Sequence, residues 1–267
     1  MSILKEIEEG IVVFDNPYGG SNITSVTTTE GTFLIDASLF PSKAEEVVLY
    51  IKRLLKSDVT MLANTHYHPD HSFGNSGVSS PLVASEKTEQ YFSLMNRNYI
   101  DEVVKKENAL KDENVKIVHP AITFRKEHEI NLGGLTIEME VVGGHTPDST
   151  VIRIPERKVI IMGDILVCGY HPEIVTDSDL EKWIKTLKQI RRERYKWLIP
   201  GHGKTCGKIE IDKMISYLQK TLMVRDYSKN IEDVVTGLGN DPNFRERKMQ
   251  SLFLENIRVI MENREIS

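Results

Sequence analysis

Four residues of the metal-binding type lie within six positions of one another, in the segment Asn64-Thr65-His66-Tyr67-His68-Pro69-Asp70-His71. Imidazole nitrogens and carboxylate oxygens bind transition metals, and core packing requires neither group. A solvated polar loop is the alternative interpretation. The pattern His-x-His-x-Asp-His is rare by chance in a chain with only 8 His, so the segment predicts a metal site.

Three further donors stand beside glycines later in the chain. They are His145 after Gly143-Gly144, Asp164 after Gly163, and His202 between Gly201 and Gly203. Glycine allows the backbone to approach closely. A lone histidine in a turn is more often a surface or core residue than a ligand, so each position alone is a weak signal. Together with the first cluster, they indicate one shared site.

Strands and helices are expected to hold these donors at strand ends. Residues 11–14 and 23–35 are predicted as strands, with a helix beginning at Pro41-Ser42 and a buried strand at 59–62. Ser42 and Glu45 have the spacing of a capping box. The histidine-rich segment follows the buried strand, where open α/β sheets place their ligands.

Residues 85–110 are predicted to be helical and carry several aromatic side chains. This stretch is either a lid over the site or an amphipathic helix packed on its own sheet, and the spacing favours the second interpretation.

The second half of the chain repeats the order of sheet and helix. It has a hairpin at 130–135, a strand at 159–162, a helix capped by Ser178 and Glu181, and a strand at 197–199.

Sheet, helix and ligand-bearing loops in each half predict two sheets packed back to back with helices outside. Beyond Gly207 the pattern is helical, and no linker separates this tail. We therefore expect it to dock on the main body.

The composition narrows the function classes. A chain of 267 residues with net charge −5 gives no overall attraction for nucleic acid. Cys168 and Cys206 form no C-x-x-C pair and no disulfide scaffold, and the N-terminal segment is too charged for a signal peptide. These features predict a cytoplasmic protein that inserts in no membrane.

The seven donors resemble those of the metallo-β-lactamase superfamily, in the same order along the chain. The resemblance covers about residues 10–205. It implies an α/β (α+β) fold, a four-layer αββα sandwich of two mixed β-sheets flanked by helices. The domain would span 1–207, with a helical C-terminal appendage at 208–267.

The resemblance also implies a role for each donor. His66, His68 and His145 would hold one metal ion, Asp70, His71 and His202 a second, and Asp164 would bridge both. Two zinc ions per chain are expected, with iron or manganese as other options. A metal-bridging hydroxide would attack the substrate, and Asp70 would also orient that hydroxide as the catalytic residue.

Departures from true β-lactamases bear on the substrate. The commonest subclass has cysteine where Asp164 stands and lysine where Val167 stands, which disfavours β-lactams. Asp164 with His71 is more similar to the glyoxalase II, lactonase and phosphodiesterase branches. We therefore expect a hydrolase of small ester, thioester or lactone-like substrates. A mononuclear iron sulfur dioxygenase and a phosphodiesterase or nuclease of the same fold remain as alternatives.

Tyr170 and His171 follow Asp164 closely and are predicted to bind substrate, either at an oxyanion or at a leaving group. The alternative is that they are packing or rim residues. A small molecule is the expected partner, and the helical tail leaves a homodimer open.

Overall fold

A seven-stranded sheet forms the first half of the protein, whose computed structural model describes residues 3–15, 20–224 and 231–262. The strands lie in sequence order. The first four pair antiparallel, and the last three add in parallel. The strands are β1 (Ile3–Glu8), β2 (Ile11–Asp15), β3 (Ile23–Thr28), β4 (Gly31–Ile35), β5 (Val59–Ala63), β6 (Leu82–Ser85) and β7 (Ile122–Phe124).

A five-stranded sheet forms the second half, in the reverse order from β12 to β8. Its strands are β8 (Glu127–Leu132), β9 (Leu135–Val141), β10 (Thr150–Ile154), β11 (Val159–Ile161) and β12 (Trp197–Ile199). The first four pair antiparallel, whereas β11 and β12 run parallel. Since β9 and β11 both oppose β10, the strands β9, β11 and β12 point in one direction.

The two sheets pack face to face through alternate side chains of their strands. On β4, Phe33 and Ile35 enter the core between the sheets, while Leu34 points to the opposite face. On β11, Ile161 enters the same core and Ile160 faces outward. Both faces of these strands are buried, which explains why their sequences are continuous apolar runs.

Helices cover the outer face of each sheet. The first sheet is covered mainly by α1, α3 and α4, and the second by α5, α6 and α9. The helices are α1 (Pro41–Tyr50), α2 (Pro69–Ser72), α3 (Glu86–Leu94), α4 (Arg97–Lys106), α5 (Leu180–Ile190), α6 (Lys208–Met223), α7 (Ile231–Gly239), α8 (Pro242–Arg245) and α9 (Gln250–Glu262). The predicted four-layer αββα sandwich is therefore confirmed.

The helices of the C-terminal tail share a hydrophobic core with α5. The tail thus packs on the main body, while the division of the chain into domains at residue 207 stays a prediction. Among the helices that the structure describes, none has the length and apolar character to cross a bilayer.

Both predicted capping boxes are wrong, because the serines bind partners distant in sequence. The N-cap of α1 is Phe40, and the Ser42 hydroxyl donates to the carboxylate of Glu113. The N-cap of α5 is Asp179, whose carboxylate accepts from the Lys182 amide at 2.8 Å. Ser178 instead donates to the backbone carbonyl of His145 at 2.6 Å.

Candidate metal centre

Four loops bring the seven sequence-predicted donors to one edge of the sandwich. The histidine-rich segment follows β5, and His145, Asp164 and His202 follow β9, β11 and β12. The loop after β5 of the first sheet therefore meets three loops of the second sheet, and the donors lie together at this edge.

Three buried histidines form the first cluster. The Nε2 atom of His145 lies 3.2 Å from Nδ1 of His68. The His66 ring centroid is 4.7 Å from that of His68 and 4.9 Å from that of His145. One ligand atom from each of the three lies within 4.8 Å of the others. Nε2 of His66 is buried, and no described residue gives it a hydrogen-bond partner.

Asp70, His71 and His202 form the second cluster. Nε2 of His202 is 3.2 Å from Oδ2 of Asp70 and 3.4 Å from Nε2 of His71. Asp70 and His71 belong to the one-turn helix α2, so two donors of this cluster are adjacent in sequence and are positioned by the same short helix.

Asp164 lies between the two clusters. Its Oδ1 is 3.2 Å from Nε2 of His71, and its Oδ2 is 3.3 Å from Nε2 of His202 and 3.9 Å from Nε2 of His145. Gly201 makes this position available, because a Cβ atom there would lie 1.8 Å from Oδ1 of Asp164. One carboxylate therefore contacts histidines of both clusters.

The histidines of the first cluster are neutral. Burial lowers the pKa of His68 to about 4 and that of His145 to about 3. Burial, with the neighbouring His71, also lowers the pKa of His66 well below its usual range. Neutral imidazole is the form that binds a metal, so this cluster needs no deprotonation first.

The second cluster has the opposite electrostatics. Burial alone would lower the pKa of His71, but the carboxylates of Asp70, Asp36 and Asp164 raise it to about 10. Asp164 and Asp70 likewise outweigh burial at His202 and hold its pKa well above the usual value. Without a cation, the neighbouring carboxylates therefore favour the protonated form of both imidazoles.

Asp36 orients His71 from behind, and sequence reasoning missed this role. Its Oδ2 lies 2.8 Å from Nδ1 of His71 and accepts from the Thr65 hydroxyl at 2.8 Å. Its Oδ1 accepts from the Thr65 amide at 2.8 Å. In the neutral form of His71 that binds a metal, this contact keeps the proton on Nδ1, so the Nε2 lone pair faces the cluster. The available signal was the position of Asp36 directly after β4, next to β5 in the sheet.

A cavity of about 660 Å³ opens beside the centre, and Asp70, Asp164 and His202 lie in its wall. Lys106 is the one lysine or arginine among its described lining residues. Much of the remaining wall is apolar or aromatic, including Leu39, Phe40, Tyr99, Val103 and Leu252. The helix α4, which belongs to the stretch considered as a lid, thus supplies part of the wall as well as packing on the sheet.

Tyr170 and His171 line the same cavity and are buried. Nδ1 of His171 lies 3.0 Å from the hydroxyl of Tyr217, and its ring stacks on Phe253. Burial and Arg247 lower the pKa of His171 to about 4. A substrate-binding role for the pair stays a prediction.

The cysteines lie close together, although they are far apart in sequence. The Sγ atoms of Cys168 and Cys206 are 2.9 Å apart. The hydrogen bond with Cys206, together with burial, keeps the pKa of Cys168 far above its usual value, so its thiol is not a nucleophile at neutral pH. Cys168 is thus a small buried residue of the core formed with α5 and the C-terminal helices.

The donor set fits borderline transition metals such as zinc. It combines five imidazoles with two carboxylates and contains no thiolate. A structural zinc site is usually closed and thiolate-rich, whereas this one borders an open cavity.

Comparison with known proteins identifies the family. The model of the metallo-β-lactamase superfamily matches residues 16–202, and the chain belongs to that superfamily. Among curated proteins, it is 21% identical to a linear primary-alkylsulfatase from Pseudomonas sp., over 78% of this chain and 45% of the relative. It is 23% identical to a beta-lactamase-like protein 2 homolog from Caenorhabditis elegans, over 75% of this chain and 61% of the relative. The chain thus spans about half the length of these curated relatives.

Solved structures share the fold. A metallo-beta-lactamase from Pontibacter korlensis superposes with a TM-score of 0.64 at 25% identity, covering 82% of this chain and 99% of that one. The sec-alkylsulfatase Pisa1 from Pseudomonas sp. gives a TM-score of 0.70 at 14% identity, covering 98% of this chain and 50% of that one. The second superposition therefore extends through the helical tail.

Proposed function

We propose that the protein is a dinuclear zinc hydrolase of small esters, thioesters or lactones. The observation that carries the proposal is the pair of donor clusters joined by Asp164, since two three-residue sets sharing a carboxylate suit two ions. His66, His68 and His145 would hold one ion, Asp70, His71 and His202 the other, and Asp164 both. Bound zinc would supply Lewis acidity and ionise water near neutral pH.

The chain's own residues set up this chemistry. Oδ2 of Asp70 contacts His202, and the Asp70 side chain is one-third exposed and faces the cavity. It is therefore placed to orient the attacking hydroxide, as the catalytic residue. The rings of His66 and His145 are buried, so among the described residues it is the cavity that gives a substrate access to the donors.

The cavity supports a small substrate. Its volume of about 660 Å³ is within the range of small-molecule sites. One lysine in the described wall gives little attraction for a polyanionic backbone, which favours an ester over a nucleic acid.

Metal analysis of the purified protein is the first test. About two zinc ions per chain support the proposal, whereas one iron with thiol-dependent oxygen uptake would support the dioxygenase alternative. A panel of thioesters, lactones, carboxylic esters, phosphodiesters, alkyl sulfates and β-lactams then follows, with and without chelator. Zinc-dependent turnover confined to phosphodiesters, sulfates or β-lactams would contradict the proposed substrate class.

A further inference from the structure

The fold brings the two cysteines of the chain together from positions 38 residues apart. Their Sγ atoms are separated by 2.9 Å, and the two sulfurs of a disulfide bond by about 2.05 Å. The sulfurs would therefore have to approach each other by about 0.9 Å to form a bond, a distance that rotation of the two side chains can supply.

Hydrogen bonds hold the backbone of both cysteines against β12 and the loop that follows it. The Cys168 amide donates to the His202 carbonyl at 2.9 Å. Cys206 and Leu198 exchange two backbone hydrogen bonds, of 3.0 and 3.3 Å. Gly203 allows this close packing, because a Cβ atom there would lie 2.0 Å from the carbonyl oxygen of Cys168. The proximity of the thiols is thus determined by the backbone of this region.

Each cysteine follows a donor of the metal centre by four residues. Cys168 lies in the loop after β11 that carries Asp164, and Cys206 follows β12 in the loop that carries His202. A bond between the sulfurs would therefore connect these two loops. It would be a single link within one domain and would not form a disulfide scaffold.

A second cavity, of about 880 Å³, gives small molecules access to the cysteines. Both cysteines line it, together with the exposed side chains of Lys204 and Lys248, so solvent reaches it. Cys168 is 8% exposed, whereas Cys206 is only partly buried. Cys206 is therefore the thiol that a dissolved oxidant meets first.

We propose that Cys168 and Cys206 form a redox modification site, at which a low-molecular-weight disulfide such as oxidised glutathione converts the two thiols into one reversible disulfide bond. The inference requires no metal and is independent of the proposed function.

The reaction is a two-step thiol–disulfide exchange. The Cys206 thiolate attacks oxidised glutathione and forms a mixed disulfide, and the first glutathione leaves and takes up the Cys206 proton. This step removes the hydrogen bond between the two thiols, which holds the Cys168 proton. Cys168 then attacks the Cys206 sulfur, and its proton leaves with the second glutathione. Two electrons pass from the cysteines to the glutathione disulfide.

The test incubates the full chain in buffers with a graded ratio of reduced to oxidised glutathione, and then blocks free thiols with a maleimide under denaturing conditions. Since the chain has two cysteines, the intact mass distinguishes the dithiol, the glutathione adduct and the disulfide. Cys168→Ser and Cys206→Ser are the matched controls, and circular dichroism verifies that they are folded. The same titration in urea gives the reference for the unfolded chain.

We expect the folded wild type to lose both thiols without accumulating a glutathione adduct. Its disulfide should survive a glutathione ratio about tenfold or more reducing than the ratio that breaks it in urea, because the fold raises the effective concentration of the thiols. Cys168→Ser should keep an adduct on Cys206, and should form it about tenfold or more faster than Cys206→Ser forms one on the buried Cys168.

Three results would overturn the inference. They are two thiols that persist in oxidised glutathione, a wild-type protein that accumulates the adduct or disulfide-linked dimers, and a disulfide no more stable in the folded protein than in urea. Because metal content plays no part in these measurements, none of the three results bears on the proposed hydrolase.

Discussion

Replacing Asp36 by asparagine tests how the second cluster is oriented. Asparagine has nearly the same size and tolerates the left-handed backbone of Asp36, whose φ is 58°. The substitution therefore changes the hydrogen bonding and the charge without adding backbone strain. Asp36 is 2% exposed, so water cannot replace the lost partners.

The expected magnitude follows from the hydrogen bonds of the carboxylate. Oδ2 contacts Nδ1 of His71 and accepts a hydrogen bond from the Thr65 hydroxyl, and Oδ1 accepts one from the Thr65 amide. If the new amide group took the place of Oδ2, it would donate to Nδ1 of His71 and force the imidazole proton onto Nε2, the atom that faces the cluster. If it took the place of Oδ1, it would face the Thr65 amide donor. Each charge-assisted bond contributes about 1.5–3 kcal/mol.

The assay is zinc competition with a chromophoric chelator, together with urea unfolding of the metal-free protein. We expect the affinity for one zinc ion to fall about 10- to 100-fold, or about 1.4–2.7 kcal/mol. Asp148→Asn is the control, because Asp148 is also fully buried and accepts from two threonine hydroxyls but contacts no donor histidine. It should lose stability and keep its affinity for the ion at His71. If Asp36→Asn bound both zinc ions as tightly as wild type, the orienting role would be wrong.

Three other predictions concern the same site. Zinc binding near pH 7 should release protons, because the carboxylates favour the protonated forms of His71 and His202 in the metal-free protein and both imidazoles must be neutral to bind an ion. Affinity for that ion should therefore fall as the pH falls, and calorimetry in buffers of different ionisation enthalpy checks the count; release of no proton would contradict the electrostatics. Gly201→Ala should displace the carboxylate of Asp164 and reduce the bound metal after gel filtration, whereas Gly237→Ala, which meets no atom within 4 Å, should not. Removal of metal by chelation should lower the thermal unfolding midpoint. A ligand at a thousandfold excess over its Kd stabilises the folded state by about 4 kcal/mol, and chelation would remove up to this amount. An unchanged midpoint would count against a resident metal.

The architecture and the convergence of the donors could be predicted because both depend on local patterns. Continuous apolar runs such as 159–161 identify strands buried on both faces, and a donor placed directly after such a strand lies at a sheet edge. The resemblance then gave the order of the donors. The structure brings all of them together, while their binding of metal stays a proposal.

The contacts that orient the donors could not be predicted, because they join distant parts of the chain. Asp36 meets His71 only because β4 pairs with β5. Glu173 reaches His68 from a segment fixed by Asn256, far along the chain. Ser42 has the spacing of a capping box, but Glu113 competes successfully for its hydroxyl. Local spacing gives no information on such partners.

The distribution of the donors over two sheets has a consequence during synthesis. His66 emerges from the ribosome early, yet His202 follows it only after about half of the chain has been added. A nascent chain therefore has no complete second cluster until β12 has been made and has docked. An ion bound there would connect the two halves of the protein through their donors. It would therefore stabilise the contact between the two sheets more than it stabilises the ends of either sheet.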